Sequence, residues 1–181
     1  MAPPSPLIAT SQLVPQGSTL ATPKPRCELI YHLLRSLNAT TIVEAGTSFG
    51  VSTIYLALAA SQNASRNGND KGRVIATKKE PSKTEIAQRN WTQAGGEIEG
   101  VIDLRIEDLR EALASDLGTV VEFLLLDKPY FRSGAMLMAD NTLAYNTLKA
   151  EELFAYVDAP GSRFHRITMP YAGGLDMIVY E

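Results

Sequence analysis

The stretch Thr41-Ile-Val-Glu-Ala-Gly-Thr-Ser-Phe-Gly-Val-Ser-Thr-Ile-Tyr-Leu-Ala-Leu-Ala-Ala60 decides the fold. A short β-branched run, Thr41 to Val43, ends at Glu44, passes through a loop carrying Gly46, Thr47, Ser48 and Gly50, and enters an apolar helix at about Ser52. Strand, glycine turn and helix in that order form the grammar of a nucleotide-type site. Gly46 and Gly50, lacking a Cβ, let backbone amides come close to a ligand. The helix N-terminus offers unpaired N–H groups to an anionic group, and Glu44 can accept from a cationic or hydroxyl-bearing one. The spacing lacks both G-x-G-x-x-G and the Gly-Lys-Ser/Thr of a phosphate loop, so nothing here is built for a pyrophosphate, and a nicotinamide dehydrogenase is disfavoured.

Upstream, Cys27, Ile30, Tyr31, Leu33, Leu34 and Leu37 form an apolar stripe from Pro25 that Asn38 closes, which predicts a helix. Downstream, Ser61 to Gly72 reads as a turn-rich loop and Arg73 to Thr77 as a second strand. Pro81 opens a helix with Ile86, Ala87, Asn90, Trp91 and Ala94 on one side, stopped by Gly95-Gly96. Val101 to Ile106 is a third strand and Glu107 to Ala114 a short helix. Val120 to Leu126 is almost unbroken in its apolar character, as a central parallel strand buried on both faces should be. Ala135 to Ala139 is a fifth strand, Thr142 to Val157 a helix, and Arg163 to Met169 with Leu175 to Tyr180 a terminal antiparallel hairpin. The expected fold is α/β, a doubly wound, mostly parallel sheet with that hairpin at its C-terminal end.

With 181 residues, 45% hydrophobic and 20% charged, the chain has enough apolar material for one globular domain, read as residues 25–181. Residues 1–24 hold five Pro among Ala, Ser and Thr and read as a flexible arm. That arm lacks a basic n-region and a continuous apolar run, so neither a signal peptide nor a membrane span is expected. A net charge of −3 without a Lys/Arg run argues against nucleic-acid or membrane-surface partners. The single cysteine, Cys27, fits a reducing, cytoplasmic compartment and reads as a small buried helix residue. His32 and His165 show no metal-ligand spacing, and Trp91, at helical spacing, reads as core.

In an open α/β sheet, ligands lie beyond the carboxyl ends of the strands. Polar clusters stand at all the expected strand ends: Glu44 to Ser52, Lys78 to Pro81, Glu107-Asp108, Asp127-Lys128 and Asp140-Asn141. Glu44-x-Gly46-x-x-x-Gly50-x-Ser52 resembles the S-adenosylmethionine (SAM) motif of class I O-methyltransferases of the catechol and caffeoyl-CoA type. Asp140-Asn141 after Ala135-Met-Leu-Met-Ala139 looks like the Ala-Asp-Asn signature of their metal-dependent members. The resemblance runs from about Pro25 to the C-terminus. It implies a SAM-dependent O-methyltransferase acting on a small-molecule hydroxyl, working as a homo-oligomer, with dimers the common form.

The resemblance also assigns residues. Ser52 would meet the methionine carboxylate at the helix N-terminus, and Asp108 matches the adenine-side position. Asp127, Asp140 and Asn141 would hold Mg²⁺, a hard ion suited to two carboxylates and an amide oxygen. The plain alternative is that Asp127 and Asp140 only terminate strands. In the family a lysine a few residues beyond the aspartate that Asp127 matches acts as general base; here Lys128 follows Asp127 directly and is the candidate, with a solvated lysine as the other reading.

Two features depart from the family pattern. Where the family has an acidic residue accepting both ribose hydroxyls, this chain has Lys78, whose ammonium has only donors, with Glu80 two residues on as a substitute. Only residues 128–134 connect the fourth and fifth strands, whereas a helical crossover needs about a dozen. These departures keep a second expectation open, a methyltransferase-fold protein that has lost methyl transfer and serves as a binding module or a repurposed enzyme.

Overall fold

The fold comes from a computed structural model that describes residues 24–68, 71–78, 81–106, 134, 136–140, 142, 154–171 and 173–181. The chain divides into two compact units, Met1–Gly118 and Thr119–Glu181. Residues 1–23 of the arm, the helix expected from Glu107, the strand expected over Val120 to Leu126, most of the 128–134 connection and most of the helix expected from Thr142 lie outside the described residues, while Lys24, read as the end of the arm, already belongs to the first helix.

In the first unit α1 (Lys24–Ser36) leads into β1 (Thr41–Ala45), α2 (Val51–Arg66) and β2 (Arg73–Thr77). α3 (Pro81–Ala94), the short α4 (Gly96–Glu99) and β3 (Ile102–Arg105) follow. The strands form a parallel sheet in the order β1-β2-β3, with Thr41 opposite Arg73 and Val74 opposite Ile102. β2 is central and reads as a central strand should: Val74, Ile75 and Ala76 are all buried. Asp103 on β3 accepts hydrogen bonds from Arg73 at 2.7 Å and Arg105 at 3.0 Å, which ties β2 to β3 on their solvent side.

α2 is the pivot of this unit. One side packs with Ile42, Val74, Ala76, Ala87, Trp91 and Ile98, and the other side with Cys27 and Tyr31 of α1. Ala57, Ala59 and Ala60 are fully buried, and the small side chains let neighbours approach from both directions. The helix also overturns one expectation. Ser61 to Arg66, read from its polar residues as a loop, continues α2 to Arg66. Asn63, fully buried, makes this possible: its Nδ2 donates to the carbonyls of Leu34 at 2.9 Å and Ala39 at 2.8 Å, and Arg35 Nη1 donates to its Oδ1. Tertiary partners thus remove the backbone competition that makes asparagine a poor helix former.

Gly95-Gly96 stops α3 as expected, yet the chain turns at once into α4, whose Ile98 joins the core. β3 is shorter than read, by one residue at each end. Cys27 is buried at 1% exposure, in line with its reading as a small core residue.

The second unit holds β4 (Met136–Asp140), β5 (Phe164–Met169) and β6 (Leu175–Tyr180), antiparallel in the order β4-β6-β5. The terminal hairpin is therefore present, and its second strand is the one that pairs with β4. β4 begins and ends one residue later than expected, so Asp140 is the last strand residue, opposite Leu175, rather than the first beyond the strand. No described helix is long and apolar enough to cross a membrane.

Candidate functional site

The site with described side chains lies at the carboxyl tips of β1 and β2. β1 ends through Glu44 into Gly46, with φ +84°, and the chain turns through Ser48, with φ +51°, to Gly50, with φ +77°, the residue before α2. The turn is braced from two sides. The carbonyl of Thr77, at the tip of β2, accepts from the amides of Gly46 and Thr47, both at 3.1 Å, and from the Thr47 hydroxyl at 3.2 Å. The Thr77 hydroxyl returns a bond to the Glu44 carbonyl at 3.2 Å. From α3, Asn90 donates to the Phe49 carbonyl and Trp91 Nε1 to the Gly50 carbonyl, each at 2.9 Å.

The two glycines do different jobs. A Cβ at Gly50 would stand 2.4 Å from Trp91 Nε1 and 2.9 Å from the Ala87 Cβ, so close packing against α3 requires the glycine. In front of Gly46 a Cβ would meet no described residue within 4 Å, so among the described residues that face of the turn is open. An open glycine in a braced turn at a strand tip is what close approach of a ligand to backbone requires.

Glu44 is the electrostatic centre. Its Oε1 accepts from Ser52 Oγ at 2.5 Å and its Oε2 from Thr53 Oγ1 at 2.6 Å. Burial pushes the carboxyl above its ordinary range, and hydrogen bonds from Ser52, Thr53 and Thr47, in that order, partly offset the push. An ionised carboxylate has about four acceptor positions, so three hydroxyls leave capacity for a ligand's ammonium or hydroxyl. α2 has no side-chain cap at Gly50 and no acid in its first turn, which leaves its N-terminus receptive to an anionic group.

The structure gathers Glu44, Gly46, Thr47, Ser48, Gly50 and Ser52 at one tip, as expected from the spacing. Lys78 follows β2 directly, its amide donating to the Arg105 carbonyl at 3.0 Å. Thr77 joins its segment to the Gly46-Thr47 turn. The Ser52 hydroxyl, expected to face a ligand carboxylate, is engaged by Glu44. Glu80, Asp108, Asp127, Lys128 and Asn141 lie outside the described residues, and Asp140 is placed by its backbone as the last residue of β4. Among the described residues no cluster of His, Cys, Asp or Glu is arranged to hold a metal ion. A shallow surface hollow of about 540 Å³ on the solvent side of α3, lined by Glu85, Gln88, Arg89, Thr92 and Gln93, is walled by that helix alone among the described residues. It lacks the convergent walls of a ligand site.

Sequence reasoning missed three contributors. Thr53 doubles the hydroxyl grip on Glu44; its signal was the Ser52-Thr53 pair just inside the helix. Asn90 was read only as a position on the packed face of its helix. Trp91 was read as core, which holds at 2% exposure, but its indole N–H also fixes the site loop.

No family model matches the chain. It is 29% identical over 154 residues to a catechol O-methyltransferase of Niastella koreensis, a match covering 76% of this chain and 65% of that protein. The chain therefore spans just under two thirds of the length of this relative. Among solved structures, the O-methyltransferase from Bacillus cereus in complex with SAH superposes with a TM-score of 0.72 at 16% identity, covering 100% of this chain and 93% of that one. The O-methyltransferase TomG from Streptomyces achromogenes, in complex with SAM, gives a TM-score of 0.71 at 19% identity, covering 97% of this chain and 89% of that one. The Rossmann-like α/β fold expected from the sequence is the fold of these proteins.

Proposed function

We propose that the chain is a class I O-methyltransferase, an enzyme transferring the methyl group of SAM to a hydroxyl of a small molecule, a reading supported by its similarity to a catechol O-methyltransferase. The observation that carries this reading is the β1 tip: a braced turn, open among the described residues in front of Gly46, with a Glu44 carboxylate that keeps acceptor capacity beside it. Glu44 has acceptor capacity for the α-ammonium of the methionine moiety. The amide end of α2 suits its carboxylate, with Ser52 joining if its hydroxyl turns from Glu44. Glu80 would accept from the ribose in place of the acid that Lys78 displaces, and Asp108 would face the adenine. In the transfer, a lone pair of the acceptor oxygen forms the C–O bond as the S–CH₃ bond breaks. The sulfonium becomes a neutral thioether and the hydroxyl proton passes to a base, for which Lys128 is the candidate. Direct displacement of this kind depends chiefly on positioning.

Asp127, Asp140 and Asn141 offer two carboxylates and an amide oxygen, a donor set that fits Mg²⁺, and Asp140 ends a strand, where family ligands sit. Bound there, the ion would lower the pKa of a coordinated hydroxyl.

Titration calorimetry with SAM, with and without Mg²⁺, followed by a turnover screen on catechol-like acceptors, tests the proposal. Binding in the micromolar range and turnover are expected; no SAM binding at millimolar concentration removes it. One observation favours a second reading, a scaffold that has lost methyl transfer. Lys78 occupies the residue after β2, where a ribose acceptor belongs. Under that reading Lys78→Glu gains SAM affinity over a weak wild type; under the leading one it changes affinity little, because Glu80 already serves.

A further inference from the structure

Within the second unit a fully buried carboxylate serves no role assigned above. Asp176 lies in β6 at 0% exposure, opposite Ala139 of β4 and Thr168 of β5. Burial alone would raise its pKa, yet hydrogen bonds from Thr142, Thr168 and Arg166 overcome that and hold it ionised, below the ordinary range. Its Oδ1 accepts from the Thr168 hydroxyl at 2.5 Å and from Arg166 Nη1 at 3.0 Å. Arg166 is itself fixed: its Nε and Nη2 reach Asp158 at 3.2 and 2.5 Å, and its guanidinium lies 3.9 Å over the Phe154 ring. The remaining oxygen, Oδ2, accepts from the hydroxyl of Thr142, itself buried at 9% exposure.

Thr142 is the residue after Asn141 and the second after Asp140. Asp140 is held by its ladder pairing with Leu175, and Thr142 by its hydroxyl on Asp176. A buried charge tied down by an arginine and two hydroxyls is a costly anchor for an ordinary turn. Groups behind the direct ligands orient them and set affinity. We propose that Thr142, through its bond to Asp176, is a positioning residue for the divalent-cation ligands Asp140 and Asn141. The inference rests on the metal part of the proposed function.

The test titrates Mn²⁺ into the full chain by electron paramagnetic resonance, for wild type, Thr142→Val, Thr142→Ser and the control Asp140→Asn. Thermal melting and S-adenosylhomocysteine affinity are followed alongside. Thr142→Val, which keeps the shape and removes the hydroxyl, should weaken Mn²⁺ binding about tenfold. Thr142→Ser should restore it to within about twofold, a rescue that a purely space-filling role would not give, and S-adenosylhomocysteine affinity should hold throughout. Thr142→Ala, measured at low temperature, replaces the valine variant if that one fails to fold. Undiminished Mn²⁺ affinity in the valine or alanine variant overturns this inference alone. Absence of Mn²⁺ binding in wild type, equal to Asp140→Asn, overturns the metal reading and this inference with it.

Discussion

Replacing Gly50 by alanine tests whether the site loop is held in place by α3. Gly50 has φ +77°, and a non-glycine residue in that region costs roughly 1–2 kcal/mol. Its new Cβ would also stand 2.4 Å from Trp91 Nε1, so the indole must move and its bond to the Gly50 carbonyl is lost. Losing that bond, with the donor buried, costs about 1–3 kcal/mol. The sum is about 2–5 kcal/mol, against about 1–2 kcal/mol for Gly46→Ala, where the φ of +84° is comparable and the space in front is open. In urea, with a slope of about 2 kcal/mol/M, the Gly50 variant should lose about 1–2.5 M in midpoint and the Gly46 variant under about 1 M. Cofactor binding should show the reverse order if the open face of Gly46 receives ligand, with Gly46→Ala weakening SAM by more than its stability loss explains. Equal urea midpoints for the two variants would refute the account of Gly50 as a packing glycine.

Other outcomes follow from the same geometry. Burial holds the folded pKa of Glu44 above its unfolded value, so its contribution to stability is complete below the ordinary carboxylate range and disappears as pH rises through the raised value. Glu44→Gln should flatten that part of the urea-midpoint profile above the ordinary carboxylate range; an unchanged profile contradicts the shift. Asp103, Asp158 and Asp176 are lowered instead, so their contributions are present above the ordinary range and fade on acidification. Ser52→Ala removes a hydrogen bond that lowers the Glu44 pKa, and carboxyl NMR titration should find that pKa higher than in wild type. Arg166→Met strips the buried Asp176 of its cation and should cost about 3 kcal/mol in denaturant unfolding, whereas a loss below about 1 kcal/mol would mean the hydroxyls of Thr142 and Thr168 suffice. Asn63→Ala should cost about 3 kcal/mol by removing the Nδ2 donor from the Ala39 carbonyl and one of the two donors from the Leu34 carbonyl, which keeps the Ala39 amide, read in the same assay.

The β1 tip was legible because its signals are local. A β-branched run, two glycines and an apolar helix lie within twenty consecutive residues, and each acts on its neighbours. What escaped is what depends on distant partners. Ser61 to Arg66 looks like a loop until Asn63 finds acceptors more than twenty residues away. The reason Gly50 must be glycine sits 41 residues along, at Trp91, and the partner of Thr142 sits 34 residues along, at Asp176. Ser52 shows the same limit in reverse, since spacing placed it at the helix start without revealing that Glu44 takes its hydroxyl.

One carbonyl oxygen, that of Thr77, receives the Gly46 amide, the Thr47 amide and the Thr47 hydroxyl. Two neighbouring strand tips therefore share a single anchoring atom and shift as one piece. A molecule pressing on the first turn would also stiffen the start of the second, and slower deuterium uptake at Lys78 on addition of S-adenosylhomocysteine would reveal it. The same arrangement restricts where the chain can change length: an insertion next to Thr77 or within the Gly46-Thr47 turn would set both tips adrift, while the far ends of these strands are free of that constraint.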